Sequence, residues 1–219
     1  ETGLDFACGV AREAQTAALR AQLRLARERG LPVVLHCVRA FEPLMRELAA
    51  CEPRAVIFHG FIGSPEQARQ AVRMARDAGF DNLNLDLMLG LPGQKPEQWE
   101  QTLEKAMALA PEHLSCYGLI LEEGTPLFRQ VEAGTCAPLP DEDALCEMDD
   151  ITERLTQAGG YARYEVSNYA KAGKMCRHNI VYWECLPYLG IGCAAHSDMD
   201  GKRFYNAEDF DAYLNHAPA

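Results

Sequence analysis

Apolar residues recur along the first 120 positions in two alternating rhythms. Ala14, Ala18, Ala21 and Leu25, with Leu19 and Leu23 alongside, form a stripe at helical spacing that stops at Gly30, a residue suited to the left-handed turn that ends helices. Leu31 to Cys37 then reads as a buried strand, Glu42 to Cys51 as a second helix and Val56 to Phe61 as a second strand. Ser64-Pro65-Glu66-Gln67 predicts the start of a third helix, with a capping box and proline at the first helical position, and that helix runs to Gly79. Leu83 to Leu89 is again strand-like, Pro96 to Leu109 helical with Trp99, Leu103 and Ala106 on its stripe, and Leu114 to Leu121 strand-like.

Short apolar strands separated by single amphipathic helices imply a parallel sheet, because parallel neighbours need a crossover. The strands near residues 33–36, 56–61, 83–87 and 114–120 are therefore expected as parallel neighbours in chain order in one open sheet. The periodicity does not change at residues 64–71. From Gly124 the rhythm breaks. Thr125-Pro126 and Pro138-Leu139-Pro140 mark irregular connections, and Asp141 caps a helix whose stripe is Ala144, Met148, Ile151 and Leu155. After Gly159-Gly160, Tyr161 to Tyr169 reads as a strand, and the remainder, rich in Gly, aromatics and Asn, as short strands and turns.

Composition narrows the picture. With 48% hydrophobic and 24% charged residues the chain of 219 residues is that of a soluble globular protein, large enough for one large or two small domains. A net charge of −11 argues against a surface that wraps nucleic acid, while leaving a local basic pocket open. No apolar run reaches the ~20 residues that span a bilayer and no signal-peptide pattern opens the chain, so a cytoplasmic address without membrane insertion is expected. Nine scattered cysteines, none in a Cys-x-x-Cys pair, fit reduced intracellular thiols. The sequence starts at Glu1 in mid-motif without Met, which predicts that more sequence lies upstream.

Two sets of residues carry candidate chemistry. His36 and His59 each end an apolar strand and Glu1 precedes one, so all three are expected at one rim of a parallel sheet, where a carboxylate and two imidazoles suit a divalent metal. Spacing alone favours histidines satisfied by hydrogen bonds. The wording around them is more specific. Glu1-Thr2-Gly3-Leu4-Asp5, Gly30-Leu31-Pro32-Val33-Val34-Leu35-His36 and Phe58-His59-Gly60-Phe61-Ile62-Gly63 resemble the TatD family of metal-dependent hydrolases. That resemblance implies a metal-bridging role for Glu1 and metal ligation by His36 and His59. The family's early His-x-His and late aspartate are not in this sequence.

In the second set, Asp86 interrupts an apolar strand just before the tight turn Gly90-Leu91-Pro92-Gly93, and Cys176-Arg177-His178-Asn179-Ile180-Val181-Tyr182-Trp183 combines a potential axial ligand with aromatic walls. By residue type alone, a turn cap and an ordinary aromatic core remain alternatives. From Ala71 onward the chain resembles the C-terminal part of the HemW family of radical-SAM haem chaperones, relatives of oxygen-independent coproporphyrinogen III oxidase. The stretches that carry this are Ala78-Gly79-Phe80-Asp81-Asn82, Leu91-Pro92-Gly93-Gln94, Pro111-Glu112-His113-Leu114-Ser115, Glu123-Gly124-Thr125-Pro126, Tyr164-Glu165-Val166-Ser167-Asn168-Tyr169, Arg177 to Trp183 and Tyr188-Leu189-Gly190-Ile191-Gly192. The resemblance implies that Asp86 contacts S-adenosylmethionine and that the His178 segment contacts haem. A [4Fe-4S] cluster belongs to the full-length family, but its Cys-x3-Cys-x2-Cys triplet does not occur here.

The chain thus reads as a chimera joined between about Ile62 and Ala71. The resemblances imply an α/β fold, a partial (open) TIM-barrel-like parallel β/α sheet with an α+β C-terminal region. Its parts are a TatD-like barrel segment over 1–64, a radical-SAM-like barrel segment over 65–121 and a HemW-like region over 122–219. The expected function is that of a HemW-like haem chaperone or coproporphyrinogen-oxidase-like fragment lacking radical activity, with haem or a porphyrin-like small molecule as partner. A divalent-metal-dependent DNase remnant, for which nucleic acid is the partner, and a non-catalytic haem-binding or structural remnant are the alternatives. No catalytic residue is assigned, and marginal stability is expected where side chains of unrelated parents meet.

Overall fold

In the computed structural model, which describes residues 2–53, 55–59, 64–77 and 79–215, the chain begins with a βαβαβα series. It comprises β1 (Thr2–Asp5), α1 (Arg12–Arg29), β2 (Pro32–Val38), α2 (Phe41–Cys51), β3 (Ala55–His59) and α3 (Pro65–Asp77). The three strands form one parallel sheet in the order β1-β2-β3. Helix α1 ends where expected: Gly30 takes φ 63°, and its N–H reaches the carbonyls of Ala26 and Arg27. Leu19 and Leu23 of α1, Leu4 of β1, Leu35 of β2 and Leu44 of α2 are completely buried together. Gln15 clips the end of β1 to the helix, donating to Asp5 O at 2.8 Å and accepting from Asp5 N–H at 2.8 Å. Gly3 is obligatory, since a Cβ there would run into the carbonyl of His36 on the adjacent strand. The capping box of α3 is present in both directions, Ser64 N–H to Gln67 Oε1 at 2.9 Å and Gln67 N–H to Ser64 Oγ at 3.3 Å.

The second compact unit comprises residues 84–107 and 112–219, the first residues 1–83 with 108–111. Its elements are β4 (Asn84–Leu89), α4 (Pro96–Met107), β5 (His113–Gly118), α5 (Pro126–Glu132), α6 (Glu142–Ala158), β6 (Ala162–Arg163), β7 (Asn168–Ala170), α7 (Arg177–Trp183), β8 (His196–Met199), β9 (Lys202–Tyr205) and α8 (Phe210–Asn215). The sheet order is β4-β5-β7-β6, with β4 and β5 parallel and β7 antiparallel to both neighbours; β8 and β9 make a separate hairpin. Alternation decides the faces. Leu85, Leu87, Leu89, Leu114, Cys116 and Tyr169 join one core with Trp99, Leu103 and Ala106 of α4 and Met148, Ile151 and Leu155 of α6. Trp99 is wholly buried, and its Nε1–H donates to Thr152 Oγ1 at 2.8 Å and Met148 O at 3.1 Å. Asp141 caps α6 by accepting from Ala144 N–H at 2.9 Å.

The expectation of one continuous sheet is overturned: among the described residues β3 and β4 do not pair, and they lie in separate sheets. Hydrophobic period reports which face of a strand is buried and says nothing about which strand is its neighbour. Here each group of strands packs on its own helices, α1 and α2 in one unit and α4 and α6 in the other. The stretch 161–169 is likewise two short strands around a turn instead of one strand, because Tyr164 N–H bonds back to Asn168 O at 3.1 Å. Residues 177–183, expected among strands and turns, are helical. No helix of the described residues is long and apolar enough to cross a membrane.

Candidate functional site

The predicted metal set sits on the first sheet. Gly3, His36 and His59 are lateral partners across β1, β2 and β3, so the two histidine positions fall in one row at the strand ends. His36 Nε2 lies 3.8 Å from Asp5 Oδ2, which adds a carboxylate to that rim. Glu1 and the side chain of His59 lie outside the described residues. Among the described residues no group of three or more His, Cys, Asp or Glu side chains could hold a metal ion.

The second sheet offers a richer arrangement on the face away from its core. Asn84, Asp86 and Met88 of β4 point there and are exposed, and their lateral partners on β5 are His113, Ser115 and Tyr117. Ser115 in turn faces Asn168 of β7, so Asp86, Ser115 and Asn168 make one row across three strands. A hydrogen-bonded chain runs along this face. Asn84 Nδ2 donates to Asp86 Oδ1 at 2.6 Å, and Asn84 Oδ1 lies 2.7 Å from His113 Nδ1. His113 Nε2 lies 2.7 Å from the Tyr164 hydroxyl, which accepts from Cys176 N–H at 3.3 Å and from Asn179 Nδ2 at 3.4 Å.

Proton positions in this chain follow from its chemistry. An amide oxygen only accepts, so His113 Nδ1 carries the proton and Nε2 accepts from the Tyr164 O–H. Burial holds His113 below its ordinary pKa of 6.5, against the carboxylates of Asp86 and Glu165, and raises the Tyr164 phenol; both groups are thereby kept neutral. Asn168 is 4% exposed and its Nδ2 donates to Glu165 Oε1, while its Oδ1 is buried without a partner among the described residues. Such an atom costs about 1–3 kcal/mol unless a donor reaches it.

The chain ends on α7, where His178 is exposed. Its ring meets Tyr182 edge-on at 4.8 Å, and Tyr182 meets Tyr188 in the same way at 4.6 Å. Trp183, Leu186, Leu189 and Ile191, at 57%, 43%, 64% and 86% exposure, follow directly. Of the predicted residues, Asp86 and His178 thus flank one hydrogen-bonded network. Asn84, His113, Ser115, Tyr164 and Asn168 escaped notice as site residues, although polar Asn84 and Asp86 alternating with leucines in β4 were a visible signal. Among the described residues no three cysteines are gathered where they could hold a cluster, and the Cys116 thiol is pushed up to about 12 by burial.

Comparison with known proteins bears on both parts. The family model "TatD related DNase" matches residues 1–83. The "Heme chaperone HemW" of Escherichia coli is 44% identical over 147 residues, covering 65% of this chain and 37% of the relative. The mouse "Radical S-adenosyl methionine domain-containing protein 1, mitochondrial" is 44% identical over 138 residues, covering 62% and 31%. The HemW of Bacillus subtilis is 33% identical over 195 residues, covering 89% and 48%, a span that must run into the TatD-matched part. The chain therefore spans between about a third and a half of the length of these relatives. In fold it is similar to the structure described as "Coproporphyrinogen III oxidase (HemN) from Escherichia coli is a Radical SAM enzyme", with a TM-score of 0.63 at 18% identity over 92% of this chain and 52% of that one. The protein is accordingly a two-part chain, its first 83 residues matching the TatD family model and its larger portion similar to the HemW haem chaperones.

Proposed function

We propose that the larger portion is a HemW-like piece that binds haem through α7, with His178 as the iron ligand and the neighbouring aromatic and aliphatic side chains as the porphyrin's bed. The observation that carries this reading is the exposed imidazole of His178 set edge-on against Tyr182, with exposed Trp183, Leu186 and Leu189 following in the chain. A flat apolar macrocycle with an axial metal needs that pairing of ligand and apolar surface. Asp86 is the contact for S-adenosylmethionine in the same reading, since its exposed carboxylate, steadied by Asn84, can accept from ribose hydroxyls. The thiols of this chain offer no cluster site, so no radical step is assigned to it. Each unit's parallel strands are taken, by themselves, as a fragment of a TIM-barrel-like β/α fold, and the compartment as the cytoplasm, which free thiols favour. Haem titration followed by absorbance tests the reading: saturable binding with a shifted Soret band is expected, and its persistence unchanged in His178→Ala would exclude that ligand.

The lateral pairing of the His36 and His59 positions favours a second reading, a divalent-metal site built from Glu1, His36 and His59 on a TatD-like remnant. With only part of the ligand set present, weak metal binding and negligible hydrolysis are expected. Manganese-dependent DNA cleavage abolished by His59→Ala would establish the hydrolase instead.

A further inference from the structure

We infer that Tyr164 and His113 are positioning residues that tie the Asp86 carboxylate to the start of α7, so that a ligand donating to Asp86 and a haem on His178 bind as linked events. The inference rests on the proposed roles of Asp86 and His178. Its physical basis is the polarity of the chain between them. Every proton points the same way: from Cys176 N–H and Asn179 Nδ2 into the Tyr164 oxygen, from the Tyr164 hydroxyl into His113 Nε2, from His113 Nδ1 into Asn84 Oδ1, and from Asn84 Nδ2 into Asp86. No link has slack. A phenol has one proton and two lone pairs, all used here, and both nitrogens of the neutral His113 are used.

Reversing one link therefore means reversing or breaking the next, and such chains are cooperative. The tie reaches α7 at two places on either side of His178, at the backbone of Cys176 and the side chain of Asn179. Cys176 N-caps α7 without any side-chain hydrogen bond of its own, so the Tyr164 hydroxyl is the polar anchor of this end of the helix. At the other end, the exposed Asp86 carboxylate presents acceptors to a ligand rich in donors, with Ser115 and Asn168 buried beside it in the same row. A ligand that donates to Asp86 Oδ1 shares that oxygen with Asn84 Nδ2 and weakens its hold, and the change passes to α7.

Two measurements on the full chain test this. Amide hydrogen exchange needs no ligand: Tyr164→Phe, and Asn84→Leu at a residue that does not touch α7, should each raise exchange at residues 176–180 while the core of α6 keeps its protection. Unaltered exchange at 176–180 in Asn84→Leu would overturn the tie. Haem titration with and without S-adenosylmethionine then reads the linkage: the haem Kd should shift by about fivefold or more in the parent protein and by much less in Tyr164→Phe. Haem binding that depends on His178 but ignores S-adenosylmethionine would overturn the linkage and leave the haem reading intact. Absence of haem binding would end both.

Discussion

His113 concentrates the chemistry of the second sheet in one side chain. It is 4% exposed, its two nitrogens are both engaged, and burial keeps it neutral. Because its folded pKa lies below the ordinary 6.5, the unfolded chain takes up a proton as pH falls through 6.5 that the folded chain refuses. Stability from this group is complete above 6.5 and is lost as pH falls toward the depressed folded value. Melting temperature should therefore decline below neutrality, and His113→Gln should flatten that part of the profile while starting from a lower plateau; an unaltered slope would show that another group is responsible. At lower pH a second residue takes over. Glu47 is held below its ordinary 4.5 by the guanidinium of Arg20, whose Nη2 lies 2.7 Å from Oε1. Its contribution is present above 4.5 and disappears as pH falls through the depressed value, so Arg20→Met should remove that acid limb from a stability–pH curve.

Helices and strands differ in how firmly they are held. Trp99 fixes α4 to α6 through its ring and two hydrogen bonds, and Trp99→Ala should cost about 3–5 kcal/mol in denaturant melts. By contrast, among the described residues α3 has none fully buried and meets the core of its unit through partly buried Ala71 and Met74. Its amides should exchange well before those of α1, whose Leu19 and Leu23 are wholly buried; equal protection would contradict this ordering. The same elements show what a single sequence reveals. The helix stripes, the Gly30 stop, the Ser64 capping box and the Asp141 cap were readable because each is a local device within a few residues. The split between β3 and β4, and the reversal of β7 onto β5, were not, because strand pairing is a long-range choice that leaves no periodic trace. Asp86 and His178 could be singled out from their surrounding motifs, whereas Tyr164 and Asn168 matter through partners that only folding brings near.

The whole molecule consists of two compact units, and the division falls near the end of the TatD-matched segment at residue 83. Each unit has its own core, which fits a chain assembled from two sources. On the proposed reading, ligand chemistry resides in the HemW-like portion, on α7. That reading is tested most directly by haem titration of the parent, His178→Ala and His36→Ala under identical conditions. His178→Ala should lose the shifted Soret band and weaken binding at least about tenfold, equivalent to ~1.4 kcal/mol, whereas His36→Ala should titrate like the parent. Parent-like titration by His178→Ala, or a loss confined to His36→Ala, would contradict it.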